Sequence, residues 1–265
     1  MPKPEVRYGK YLYCLTHAPS HTETGSTTDA FQFANLGIGE RGDKVHTIDF
    51  MGMSVVVSDT PIQEYEESRR NMMAHTLILE EAMRQGPILP VRFGTVAPSA
   101  DAVLDQVLKR RYGELISTFE EVENRIELGV KAFWYEGVVF QEIIEQNPGI
   151  RTLRDSLKNR KAEETFYERI RLGEMIEAAM EKKREEDSEK ILEQLRPIVY
   201  KSRANKIITD KMILNAAFLV DRPREPEFDE AIRNLDAEMQ TRIMFKYVGP
   251  VPPYNFVNIV IHWDA

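Results

Sequence analysis

Cys14, His17 and His21 stand in the spacing C-x2-H-x3-H, and His46 further along would supply a fourth ligand of the kind zinc accepts. Pro19 interrupts the pair of histidines and prevents a regular helix from presenting both. Cys14 falls in an apolar stretch that reads as a buried strand, and there is no second cysteine to support the site. A polar loop beside an inert core cysteine is the reading carried forward, with no metal and no cofactor expected. Gly37 to Gly42, GIGERG, matches the dinucleotide pattern G-x-G-x-x-G, and Asp59 lies near where a ribose-binding acid would sit. That fingerprint needs a helix opening at the loop, but the next segment is the strand-like VHTIDF, so the glycines mark a turn before a strand. His75 with Glu80 and Glu81 offers acid–base residue types, but helical spacing reads them as surface positions. The chain contains no G-x-S-x-G elbow, no phosphate loop and no H-E-x-x-H. No catalytic residue is assigned.

Two segments carry side chains suited to contact instead. In Pro87 to Val96, PILPVRFGTV, an arginine interrupts an apolar strand. Arg92 must reach a carboxylate, a carbonyl or solvent, either as an ion pair to the preceding helix or as a partner contact, with Phe93 beside it. In Tyr247 to Phe256, YVGPVPPYNF, Gly249, Pro250, Pro252 and Pro253 hold the chain extended and set Tyr247, Tyr254 and Phe256 at defined positions. These aromatics either cap a sheet or form a rigid contact surface. Arg92, Phe93, Tyr247, Tyr254 and Phe256 are the candidate partner interface.

The elements that position them are set by periodicity and punctuation. Tyr8 to Leu15 reads as a strand, Thr16 to Asp29 as a polar loop, and Ala30 to Leu36 as a short helix or irregular turn. Lys44 to Phe50 and Met53 to Ser58 read as a hairpin through Met51-Gly52. Thr60-Pro61 reads as the entrance of a helix that ends at Gly86, and PILPVRFGTV as the next strand. This order predicts a ferredoxin-like α+β sandwich over 1–125, one sheet with helices on one face, ending in bridging helices after Pro98-Ser99. The remainder, 126–265, reads as a helix-rich α+β domain: a strand at Glu127 to Tyr135, a helix ended by Asn147-Pro148-Gly149, and a helical hairpin around the charge run Glu181 to Lys190. A buried strand at Met212 to Val220, the helix stripe Phe228, Ile232, Leu235, Met239, and a strand at Arg242 to Val248 complete it. In EKKREEDSEK, nine of ten residues are charged with mixed sign, which describes a solvated helix end or turn.

With 265 residues, 42% hydrophobic and 29% charged, the chain has the composition of an ordinary folded protein able to bury a core in each of two domains. Its net charge of −8 argues against nucleic acid or an anionic membrane as main partner. The N-terminus lacks a secretory signal, no stretch approaches the roughly 20 apolar residues that span a bilayer, and one cysteine fits a reducing cytoplasm.

PILPVRFGTV, with VVVSDTP at Val55 to Pro61 upstream and YVGPVPPYNF near the end, resembles the signatures of the gas vesicle protein F/L family, and the intervening segments match in order over almost the whole chain. The resemblance implies a cytoplasmic, gas vesicle-associated, non-enzymatic accessory protein. It also implies the major hydrophobic shell protein as partner, and other gas vesicle accessory proteins as further partners. Two other classes stay open: a small-ligand-binding protein or enzyme with a pocket around Asp59, Arg92 or His75, and a self-assembling structural protein.

Overall fold

A computed structural model gives the fold, and the structure describes residues 6–17, 32–39, 41–135 and 137–263. The chain forms two compact units, Met1–Glu127 with Pro250–Ala265, and Leu128–Gly249. The expectation of two successive domains, 1–125 and 126–265, thus gives way to an insertion in which the tail rejoins the first unit. Glu127, only 3% exposed, is the reason on the first side: its carboxylate accepts from the Asn255 backbone N–H (2.8 Å) and from Asn255 Nδ2 (2.5 Å). Beyond that clasp Val257 and Ile259 bury themselves in the first unit's core, and Ile259 bridges Val91.

In the first unit β1 (Tyr8–His17), β2 (Val45–Phe50), β3 (Met53–Pro61) and β4 (Ile88–Pro90) form a sheet in the order β2-β3-β1-β4, with the short β5 (Val96–Ala97) also on β1. The pairs are antiparallel, and Met51-Gly52 closes the β2–β3 hairpin as expected. The register of β1 against β3 slips between Leu12 and Cys14. An extra residue in one strand shifts the two-residue alternation of side chains, so Tyr11, Tyr13 and Cys14 all face one way while Leu12 and Leu15 face the other.

Both faces of this sheet are covered. α1 (Arg69–Gln85) lays Ile78, Leu79 and Ala82 against Tyr11, Tyr13, Cys14 and Val56. On the other face Leu12, Val55, Val57 and Leu89 meet the helical run after Ser99. There Ser99 Oγ accepts from the Ala102 N–H to start α2 (Ala100–Ala102), which widens into a π-helical stretch over Val103–Lys109 before α3 (Tyr112–Val122). The α+β class holds. The ferredoxin-like arrangement puts its helices on one face and one of them in the β1–β2 crossover. Here the helices cover two faces, and residues 32–39 and 41–44 of that crossover form no helix. The helix entrance also differs: Pro61 still pairs with Tyr8 in the sheet, Thr60 bonds Tyr65 through their hydroxyls, and the cap is Ser68, whose Oγ accepts from the Asn71 N–H at 3.3 Å.

The second unit carries the sheet β7-β8-β6-β9, built from β6 (Arg125–Trp134, which enters from the first unit), β7 (Lys201–Ala204), β8 (Met212–Asp221) and β9 (Ile243–Val251). Its helices are α4 (Val138–Gln146), α5 (Pro148–Leu157), α6 (Phe166–Leu195) and α7 (Glu225–Met239). Pro148 does not merely end α4; it occupies the first turn of α5, where its missing N–H costs nothing. The predicted helical hairpin is instead the single 30-residue α6, with the charge run in its middle. Glu, Lys and Arg are strong helix formers, and pairs such as Glu181–Arg184, Lys182–Glu186 and Lys183–Asp187 lie at helical spacing, so nothing in that run breaks the helix. The stripe Phe228, Ile232, Leu235 and Met239 is buried as expected.

One member of the charge run is not solvated. Asp187, 1% exposed, accepts from Trp134 Nε1 (2.8 Å) and Arg242 Nη2 (3.1 Å), while Arg242 forks onto Glu142 (2.5 and 2.8 Å) and Lys183 lies 3.4 Å from Glu142. The Arg242 hydrogen bonds hold the Glu142 carboxyl below its usual range. Two acids and two bases thereby tie α4, α6 and the start of β9 together. Arg242→Met strands the Asp187 carboxylate with the indole N–H and a Lys183 ammonium 3.9 Å away. Loss of one partner from such a set is expected to cost about 3 kcal/mol in urea unfolding, whereas Arg196→Met, from the exposed pair with Glu189, should leave the midpoint unchanged.

Candidate interaction site

The segment Arg92–Thr95 is a four-residue turn: the Arg92 carbonyl accepts from the Thr95 N–H (3.3 Å) and from Thr95 Oγ1 (2.7 Å). Gly94 sits at its third position with φ +82°, where a type II turn needs a residue without Cβ. The turn is pinned to the core from below. The Gly94 N–H donates to the Tyr11 hydroxyl (3.0 Å), which lies 3.0 Å from His75 Nδ1, and the Thr95 carbonyl accepts from the Leu12 N–H (3.0 Å). The Tyr11 hydroxyl and Nδ1 share one proton, and the tautomer of the imidazole sets which of them donates.

His75, read from the sequence as a surface residue, is 1% exposed. It belongs to the buried stripe His75, Ile78, Leu79, Ala82 of α1, and the rings of Tyr11, Tyr13 and Phe93 surround it at centroid distances of 5.6–5.7 Å. Burial lowers its pKa to about 4, and a weaker attraction to the Val91 backbone does not outweigh it; Nε2 has no hydrogen-bond partner among the described residues. Beside it Tyr13 accepts from the Ile38 N–H (2.7 Å) and meets Ser58 Oγ (2.9 Å), and burial pushes its pKa up to about 12.

Beside the turn, Ile62, Phe93, Val96, Ile261 and Trp263 together with the polar Gln63, Glu64, Arg92 and Thr95 line an open groove of about 550 Å³. Arg92 is exposed, and its guanidinium makes no ion pair or hydrogen bond among the described residues, so the structural ion pair to the preceding helix is not formed. Phe93 is half-buried, its ring held against His75.

The other candidate positions do not join this groove. Tyr247 lies in the second unit, donating to Asp229 Oδ1 (2.6 Å) and packed 5.9 Å from Phe228, which makes it a tie between β9 and α7. Tyr254 and Phe256 come after the prolines in a tight turn whose N–H groups donate to the Pro252 and Pro253 carbonyls (2.7 and 3.1 Å). Tyr254 is 43% exposed and Phe256 half-buried. Nor do Asp59, Arg92 and His75 converge on a pocket: Asp59 is held by Lys10 (2.5 Å), and His75 is interior. Glu81 binds the Ala34 and Asn35 N–H groups (2.5 and 3.3 Å). In GIGERG, Gly37 lies so close to β3 that a Cβ there would overlap the Ser58 hydroxyl, and the chain continues into β2 with no helix between among the described residues. Cys14 is buried at the sheet centre, where desolvation raises its thiol pKa, and His46 lies on β2; His21 falls outside the described residues.

A depressed histidine pKa has a defined sign. Above its ordinary value near 6.5 both folded and unfolded forms are neutral; as pH falls from there to about 4, only the unfolded form takes up the proton, so stability is lost. Urea unfolding should show His75→Gln escaping up to about 3 kcal/mol of the loss that the wild type suffers between about pH 7 and about pH 4. Equal slopes in the two proteins would show that His75 does not remain neutral.

Comparison with known proteins agrees with the geometry of both units. The chain is 32% identical over 223 residues to gas vesicle protein F of a Streptomyces species, covering 84% of this chain and 91% of that one. It is 28% identical over 210 residues to gas vesicle protein F of a Nostoc species, covering 78% and 85%. The crystal structure of the gas vesicle protein GvpF from Anabaena superposes with a TM-score of 0.81 at 25% identity, over 96% of this chain and 99% of that one. The model of the gas vesicle synthesis protein GvpL/GvpF family matches residues 9–258, and with the fold shared over nearly its full length the chain belongs to that family, whose work is gas vesicle assembly.

Proposed function

We propose that this protein is a non-enzymatic assembly factor that binds the major hydrophobic shell protein of the gas vesicle in the cytoplasm. By covering its apolar surface, it keeps the subunit from aggregating or delivers it to a growing vesicle. The observation that carries the reading is the groove at the Arg92–Thr95 turn. A segment of the chain that carries the family resemblance spends its core contacts on fixing a surface turn, and it leaves Arg92 exposed and Phe93 half-buried beside a groove that Ile62, Val96, Ile261 and Trp263 also line. A shell subunit with a dry, gas-facing side exposes before assembly the kind of apolar patch that associates unspecifically in water, which is the physical need such a factor meets. Among the described residues no helix is long and apolar enough to cross a membrane.

Co-expression of the tagged protein with its cognate shell subunit provides the test. Saturable co-purification and a larger soluble fraction of the subunit are expected. A well-folded protein that leaves the subunit's solubility and retention unchanged would remove the shell protein as its direct partner. Other accessory proteins of the vesicle would then be the next candidates.

A further inference from the structure

We infer that the exposed amino-terminal half of α6 pairs with the same segment of a second copy of this protein, the two helices crossing antiparallel at Gly173. The helix is longer than the sheet it serves. Its 30 residues span about 45 Å, against about 33 Å for a strand of 10 residues such as β6 or β8. Arg184 already reaches the Met212 and Asp210 carbonyls at the start of β8 (3.0 and 3.2 Å), and Asp187 meets Trp134, the last residue of β6. The turns of α6 before Arg184 therefore run past the ends of these strands. Met180, Asp187 and Ile191 are buried on the face that meets the rest of the unit. Phe166, Ile170, Gly173 and Glu177 continue that face at intervals of four and three residues, yet Phe166 is 59% exposed, Ile170 is 46% exposed, and Gly173 and Glu177 are exposed as well. α5 lies on the opposite side of the helix, where Gly149 comes against Met175.

Gly173 points to what covers this stripe. After proline, glycine is the residue least suited to a helix interior, and no neighbouring heavy atom lies within 4 Å of a Cβ built there, so packing within the chain gives it no role. On a bare apolar stripe it lets a second backbone approach closely. Charge selects the occupant and its direction. Arg169 lies four residues before Gly173 and Glu177 four residues after it. A two-fold axis at Gly173 sets each Arg169 against the other copy's Glu177 and each Ile170 beside the other copy's Ile176, whereas parallel helices would set Glu177 on Glu177. Arg169 donates to Thr165 Oγ1 (2.9 Å) and to the Arg160 carbonyl (3.3 Å), neither of which neutralises its charge. Glu177 has no ion-pair or hydrogen-bond partner among the described residues. The stripe is thus complementary to itself, as an interface between identical copies has to be. One helix crossing is smaller than a permanent dimer interface, so the association is weak and concentration-dependent.

Sedimentation velocity of the full-length protein over a concentration series provides the test, and it does not depend on the shell-binding reading. The wild type is expected to show a reversible monomer–dimer equilibrium. Gly173→Leu should weaken it by about tenfold or more while raising the urea midpoint, because leucine has open space in the monomer and favours helix. Glu177→Arg should weaken association by about tenfold, and the double reversal Arg169→Glu/Glu177→Arg should restore it. Gly173, Glu177 and Arg169 are exposed, and circular dichroism verifies that the variants keep the fold. A wild type that stays monomeric up to its solubility limit overturns the inference, and so does a dimer that all the variants keep. If a monomeric wild type instead binds the cognate shell subunit and Gly173→Leu loses that binding, the stripe serves shell recognition and the self-pairing falls while the shell-binding reading stands.

Discussion

Burial of the Tyr11 hydroxyl governs the design of the first unit. A phenol in a sheet interior needs partners, and its two come from opposite directions: the Gly94 N–H from the surface turn and His75 Nδ1 from the helix beneath. The turn therefore cannot relax without unsatisfying the core, and the helix cannot slide without releasing the turn. Tyr13 shares the face of Tyr11, and Phe93 closes the arrangement by meeting the imidazole edge-on, with ring centroids 5.6 Å apart. A surface feature is held with the stiffness of an interior one.

The second unit solves a related problem with charge. α6 is long and polar through its middle, and a helix of that kind has little apolar surface with which to specify its position. Asp187, met by Trp134 and Arg242, marks a single register for it, and Glu142 and Lys183 complete the set so that no charge is left alone in the interior. Replacement by hydrophobic groups would give comparable stability in principle; the ionic set joins α6 to β6, to α4 and to the residue that precedes β9.

Much of this was legible in the sequence because apolar period and turn chemistry dictate it locally. The β2–β3 hairpin, the strand Met212–Asp221 and the stripe of α7 all have patterns that one partner surface suffices to satisfy. What escaped depends on long-range pairing. The spacing of His75 with Ile78, Leu79 and Ala82 does mark a buried face, yet a polar residue type outweighs that spacing until Tyr11, 64 positions away, appears as its partner. The unbroken α6 was hidden because a dense charge run reads as a boundary, although the same residues favour helix. The groove joined Arg92 and Phe93, adjacent in sequence, to Ile62 and Trp263, which no local pattern connects to them.

The insertion of the second unit between Glu127 and Pro250 sets an order of events during synthesis. The first unit starts to emerge from the ribosome first, but Asn255, Val257 and Ile259, which satisfy Glu127 and fill its core, are made only after the whole of the inserted unit. The inserted unit has its whole sequence available earlier. It can close while the first unit still waits with an unfinished apolar face, so the part of this protein that is synthesised first is the part that completes its fold last.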